Sequence, residues 1–409
     1  MALEIGRILI NEPAGTGNVA YTGMGFQPKA LLFFSSGSAS TGAGFDNQFS
    51  TGFCNSASSR AYVSSVSANG SVLSEAYVRH SAAGVLARVT PTGGGNAAEA
   101  DIVSFDADGM TLSWGTVGAA GPRTHVIGFG GSDLTNAGIK EFTTPGITGS
   151  VSYTGVGFKP DSIILISANN TVAPPNTKGS AHHLFSVADA TNESCTSGAS
   201  LTGHGVDNSS RSYASTGFIN QVHWGEVTKY VASLTTMDAD GFTLDWTTTA
   251  GAGAYMYALC LKGVTTSMGT TAQRTSVGTT VVSGLGLLPR GILCHSAWSN
   301  VSGTNRTQAV TLGAAAAVAN QGHSSVRTTD NVTPTLTNRA ESDVAIVSFY
   351  TAANVIIGEA GISAIADGTF TVNWTTADAS ARLTSYIAFG DGPATGSGAG
   401  SLLLRGVGA

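Results

Sequence analysis

The runs Asp106-Ala107-Asp108-Gly109 and Asp238-Ala239-Asp240-Gly241 have the residue types and spacing that open a calcium loop. Alternating aspartates present short carboxylates to a hard cation, and the glycine allows the sharp bend. No acidic residue stands at the closing position of such a loop, and the third related stretch, Ile365-Ala366-Asp367-Gly368, lacks the first aspartate. A hairpin turn accounts for the part that recurs, because Asp-Gly suits a tight turn with positive φ. No metal ligand and no cofactor site is assigned.

Eight histidines are available as ligands or bases, among them His182, His183, His204 and His223 in the middle of the chain. They have no counterparts elsewhere in the sequence and no HExxH or His-carboxylate spacing, so they are expected on solvated loops. Glu99 with Asp101, and Glu341 with Asp343, would share one face of a strand at spacing two, as paired carboxylates of a glycosidase sometimes do. Solubilising charges on an outer sheet face are the expectation for both pairs. A GxSxG elbow, a GxxxxGK[ST] phosphate loop and a GxGxxG turn are all missing from the sequence. No catalytic residue is assigned, and the chain is not expected to be an enzyme.

Cys54, Cys195, Cys260 and Cys294 form no CxxC pair, and Cys260 and Cys294 lie in apolar runs, which suits small buried hydrophobes. Trp114, Trp246 and Trp374 recur in phase with apolar neighbours and are expected at the centres of cores. Trp224 and Trp298 fall outside that register and are the candidates for exposed contact.

The elements that carry these residues follow from composition and repetition. The chain has 409 residues, a formal charge of -6, 42% hydrophobic and 11% charged residues, and 54 glycines. Glycine, serine, threonine and valine in these amounts favour turns and strands, so an all-β fold with two or three cores is expected. Few lysines and arginines, none of them clustered, disfavour direct nucleic-acid binding. The absence of a long apolar run and of a basic-then-apolar N-terminus leads us to expect no membrane span and no secretion signal.

Val19-Ala20-Tyr21-Thr22-Gly23-Met24-Gly25-Phe26-Gln27-Pro28 returns as Val151-Ser152-Tyr153-Thr154-Gly155-Val156-Gly157-Phe158-Lys159-Pro160, and in altered form as Val281 to Pro289. An apolar run follows each proline, at Ala30 to Phe34, Ile163 to Ile166 and Gly291 to Cys294, and predicts a buried strand. An Asp-Gly hairpin then recurs at Asp108 to Trp114, Asp240 to Trp246 and Asp367 to Trp374, before a closing strand in each copy. The middles diverge around short pieces such as Phe49 to Phe53, and Ala314 to Ala319 is the one short helical candidate.

This order predicts three tandem β-sandwich or jelly-roll-like modules of seven to nine strands, covering 1–137, 138–268 and 269–394. A Gly-rich tail, 395–409, would either fray or dock its Leu402-Leu403-Leu404 knot on a neighbour.

Phe26-Gln27-Pro28, Phe158-Lys159-Pro160 and the three hairpins together resemble the tandem β-modules of tailed-bacteriophage virion proteins. The resemblance implies a structural role, such as capsid decoration or stabilisation, or a place in the tail. The partners it implies are other virion proteins, such as the major capsid protein or tail components, and possibly copies of the chain itself. The location it implies is the virion, assembled in the host cytoplasm. The alternative from another class is a tail fibre or adhesin module whose variable loops bind a host receptor or surface glycan.

Overall fold

The computed structural model describes residues 2–118 and 121–391. The expected tail at 395–409 and the end of the third module at 394 lie outside the described residues. The chain is all-β: 33 strands and, among the described residues, one short 3-10 turn at Trp224–Glu226.

Three seven-stranded antiparallel sheets carry most of the chain, and their strand order is the same each time. The first runs Leu3–Asn11, Arg123–Gly131, Ala30–Ser35, Asn47–Ser56, Ser59–Ser67, Ala76–Ser81 and Asn176–Gly179. The second runs Asn136–Thr143, Tyr255–Lys262, Ser162–Ser167, Ala181–Asp189, Glu193–Ser200, Ser209–Ala214 and Gly303–Arg306. The third runs Thr265–Ala272, Leu383–Asp391, Leu288–Ser296, Gln308–Ala317, Asn320–Thr328, Thr337–Ser342 and Gly42–Phe45.

In every sheet the seventh strand is borrowed. The middle of the chain gives Asn176–Gly179 to the first sheet, the last third gives Gly303–Arg306 to the second, and the first third gives Gly42–Phe45 to the third. The exchange is cyclic and therefore closes. The expected boundaries at 137 and 268 fall inside strands that open a sheet, Asn136–Thr143 and Thr265–Ala272. Each third holds eleven strands among the described residues, more than the seven to nine expected, and one of the eleven is the exchanged strand.

A four-stranded sheet backs each seven-stranded one; the first is ordered Gly17–Thr22, Gly109–Thr116, Asn96–Asp106 and Leu86–Val89. Residues alternate between two cores, as the two-residue period of a strand requires. Leu31 and Phe33 pack with Leu112 and Trp114 in the core between the first pair of sheets. Leu32 and Phe34 point the other way, into a core shared with Ile164, Ile166, Leu293 and Ile387 from the other two large sheets. Coverage on both faces explains why all six residues of Ala30–Ser35 are buried and why the run reads as continuously apolar.

The recurring turn and hairpin motifs hold each other. Asp108 accepts backbone N–H groups from Gly23 (3.1 Å) and Gly25 (2.5 Å), and Asp240 does the same for Gly155 (2.9 Å) and Gly157 (2.5 Å). These glycine amides hold the Asp240 carboxyl below its ordinary range. A side chain at Gly241, where φ is +142°, would place its Cβ 2.0 Å from the Tyr153 carbonyl. The third copy differs: Thr369 takes the strand position of Gly109 and Gly241, pairing with Ser283, and Gly368 moves into the turn. The inserted residue thus shifts the glycine by one position without breaking the hairpin.

Ala314 to Ala319 is corrected from a helical candidate, since most of it belongs to the strand Gln308–Ala317. Alanine tolerates either conformation, and pairing on both sides of this strand decides in favour of the sheet.

Trp114, Trp246 and Trp374 are all buried. The Trp114 and Trp246 indoles each donate to a tyrosine hydroxyl, Tyr21 and Tyr153, at 3.1 Å. In the third copy Val282 occupies the corresponding place, and Trp374 Nε1 has no partner. Val282→Tyr should therefore stabilise the fold by about 0.5–1.5 kcal/mol in chemical denaturation, and Tyr153→Phe should cost a similar amount. A destabilising Val282→Tyr would show that the third core has no room for the bond.

Candidate functional site

The sequence and sheet order direct attention to the seams between the thirds, where every exchanged strand lands. His80, Tyr213 and Glu341 occupy one register position, each paired with the first residue of the borrowed strand: Asn176, Gly303 and Gly42. Each reaches across its seam to a side chain on the second strand of the next large sheet. His80 Nδ1 meets Tyr257 Oη at 2.8 Å, and Tyr213 Oη meets Ser385 Oγ at 2.8 Å. Glu341 meets His125 Nε2, with both side chains fully buried. One buried polar pair thus sits at each seam, with different chemistry every time.

The Glu341 seam carries the largest electrostatic stake. Its carboxylate accepts from Ser36 Oγ at 2.7 Å and Ser324 Oγ at 2.9 Å. Arg7 Nη2 lies 2.6 Å from His125 Nδ1. A guanidinium only donates, so Nδ1 accepts and the ring proton sits on Nε2, facing Glu341 and the His323 carbonyl. Both ring nitrogens are engaged, which leaves His125 no free position from which to take a proton from a substrate. Burial lowers Arg7 to about 10, well above neutrality, so a cation remains beside the carboxylate.

Loops from the three thirds also bond to one another in a crown. Gly70 donates to the Thr335 carbonyl at 2.7 Å, Ser74 to that of His204 at 2.7 Å, and Asn331 to that of Asp207 at 2.7 Å. This crown carries exposed apolar side chains: Val72 is 73% exposed, Leu73 58% and Val206 45%.

Several expected placements change. Glu341 is not a surface charge, because a seam invisible in the local sequence covers it; Asp343 binds Arg123 at 2.7 Å. Glu99 and Asp101 are likewise engaged, Glu99 with Arg79 (3.2 Å) and Tyr62, Asp101 with Arg60 (2.6 Å). His182 and His183 are buried in the strand Ala181–Asp189 rather than solvated, whereas His204 is exposed in the crown. Trp298 is 7% exposed and donates to Thr311 Oγ1 at 2.9 Å, so it is a core residue and not a contact. Trp224 is partly exposed. All four cysteines are buried and free, and among the described residues no three His, Cys, Asp or Glu side chains gather as a metal site. The seam pairs were missed by sequence reasoning because their partners are far apart in the chain. The divergence of His80, Tyr213 and Glu341 at one repeat position was the available signal.

No protein family matches this sequence, and no curated protein is similar to it.

Removing the Glu341 carboxylate leaves the buried Arg7 cation without its countercharge, so Glu341→Ala should cost about 3–5 kcal/mol. Tyr213→Phe, which removes one neutral hydrogen bond at the equivalent seam, should cost about 1 kcal/mol. Equal losses in chemical denaturation would mean that the seams are energetically alike.

The buried histidines also set a pH dependence. Burial holds His183, His295 and His323 at about 3 and His80 at about 4, whereas an unfolded histidine takes up a proton near pH 6.5. Below that pH the unfolded chain binds protons that the folded chain refuses, and stability falls. Asp207, pushed up to about 7 by burial, acts in the opposite sense, and Glu141, Glu193 and Glu359 are also raised by burial. Four histidines outweigh Asp207 in the window from about pH 6.5 to 5.5, each contributing up to about 1.4 kcal/mol per pH unit. The melting temperature should therefore drop across this window; a flat or rising profile would contradict the burial of these rings.

Proposed function

We propose that this chain is a structural protein of a virion that decorates or stabilises a phage capsid through protein–protein contacts. The observation that carries the reading is the cyclic strand exchange, which gives a single chain the contact geometry of a trimer. A body of this kind matches a threefold or quasi-threefold position on a shell, where three neighbouring subunits present equivalent surfaces. The crown, with Val72, Leu73 and Val206 exposed, is the surface such neighbours would meet. The resemblance of the turn and hairpin motifs to virion β-modules supports the same reading, as does the engagement of His125, Glu341 and the aspartate turns in structural bonds.

The test is a reconstruction of intact particles from cells that express the chain, together with melting of the shell in its presence and absence. Density for the chain on the head and a higher shell melting temperature are expected, with Leu73→Asp weakening attachment. Particles that assemble without the chain and show no density for it on the head would overturn the proposal.

A further inference from the structure

We propose that the middle third carries a binding site for an acidic saccharide, formed by Trp224, His223, Lys178 and Lys229 with His182 behind them. The site stands independently of the capsid reading, since none of its residues belongs to the seam pairs or the exposed crown.

The hairpin joining Ile219–Val222 to Thr228–Asp238 supplies three of these groups. His223 and Trp224 lie at its tip, with ring centroids 3.2 Å apart, and Lys229 lies just after the turn. His182 stacks beneath them, 5.2 Å from His223 at an interplanar angle of 26° and 5.6 Å from Trp224. Lys178 arrives on the exchanged strand Asn176–Gly179, opposite Val78 of the first sheet.

Lys229 stands on the strand leaving the hairpin tip that holds His223 and Trp224, and Lys178 lies on the segment that runs directly into the strand of His182, so the chain brings four basic side chains to one corner. Lys178 and Lys229 each depress His182 and His223, Lys178 depresses Lys229, and no carboxylate contributes to any of the four. Neither lysine makes an ion pair among the described residues, and the nearest acid in sequence, Glu226, faces Arg306 at 3.3 Å. Both lysines are partly desolvated, so like charges are held together in a setting where each would be relieved by an anion. His182 is fully buried; the Val222 backbone is nearby, yet its Nε2 makes no well-formed hydrogen bond. A buried polar atom without a partner costs free energy unless something else offsets it.

Trp224 narrows the ligand class. The other four tryptophans are at most 7% exposed, which leaves Trp224, at the hairpin tip, as the partly exposed one beside the cations. A flat apolar face next to positive charge fits the C–H face of a sugar ring that bears a carboxylate. The register equivalents of Lys178 are Gly44 and Asn305, and those of His182 are Gln48 and Ala309, so the chain has one such site and not three.

The experiment titrates the intact protein with an oligogalacturonate, with the neutral galactose oligomer and inorganic phosphate as controls, following tryptophan fluorescence and heat. Saturable binding of one oligogalacturonate per chain with a fluorescence change is expected. Lys178→Gln, Lys229→Gln and Trp224→Ala should each weaken binding about tenfold or more while leaving the melting temperature close to that of the parent. Absence of saturable binding, equal binding of the neutral oligomer, or lysine variants that bind as the parent does would each overturn the site. Phosphate binding as tight as that of the oligogalacturonate and indifferent to Trp224→Ala would overturn the saccharide assignment.

Discussion

The edge of a β-sheet leaves a row of backbone N–H and C=O groups unpaired, and the architecture of this chain depends on how those edges are closed. Ala76–Ser81, Ser209–Ala214 and Thr337–Ser342 would each be such an edge. Each is covered by a four-residue strand from another third, taken in one rotational sense. Two of the borrowed strands are polar, Asn-Thr-Lys-Gly and Gly-Thr-Asn-Arg, and the third, Gly-Ala-Gly-Phe, leaves its one large side chain, Phe45, exposed. Backbone pairing therefore holds them, and the shared core of Leu32, Ile164, Leu293 and their neighbours fixes where the edges meet. Neither feature is complete in one third alone, because the edge lacks its last strand and the inner sheet face lacks its cover.

The same division explains what the sequence disclosed. Asp-Gly followed by an alternating strand is local chemistry, and it predicts the hairpins at Gly109, Gly241 and Thr369 from a few residues each. Unbroken apolar runs such as Ala30 to Phe34 likewise reported strands covered on both faces. The exchanged strands gave no such sign, because each is a glycine-containing piece of four residues that reads as a loop, and their partners lie in another third. For the same reason His182, His183 and Glu341 read as solvated groups: the residues that bury them are distant in the chain, and a local pattern carries no record of them. Trp298 was misplaced on related grounds. It lies outside the recurring tryptophan position, but the third core has its own place for it against Phe349 and Tyr350.

Repetition also shows which interactions the fold requires and which it tolerates losing. The Asp108 and Asp240 carboxylates accept from the glycine amides of the preceding turns, a bond that Asp367 is not seen to make among the described residues, whereas the backbone bond of the same turn recurs in all three copies: Met24 to the Asp108 carbonyl (3.3 Å), Val156 to that of Asp240 (3.4 Å) and Leu285 to that of Gly368 (3.1 Å). The backbone bond is therefore the part of the turn common to all copies, and the carboxylate is an addition made in two of them. Trp374 has lost its tyrosine partner, and its core has kept its other aromatic contacts, including Phe349 stacked 6.1 Å away. Packing around the indole is thus common to all copies, whereas its hydrogen bond is not.

Fusion into one chain gives each seam a freedom that identical subunits lack. In a homotrimer a substitution at the position of His80 would change three seams at once, and a buried acid would face its own copy's partner everywhere. Here the three seams have separated into His–Tyr, Tyr–Ser and Glu–His, and the charged one alone is supported by Arg7, Ser36 and Ser324. A mispaired ring would oppose Glu341 to a tyrosine or serine and leave Arg7 without its carboxylate, so differing partners penalise wrong closure as well as stabilising the right one. The same independence lets Lys178, His182 and Trp224 accumulate on a single corner while the other two corners retain small or neutral residues. Covalent linkage of the thirds allows the strand order to be kept in all three while their side chains diverge.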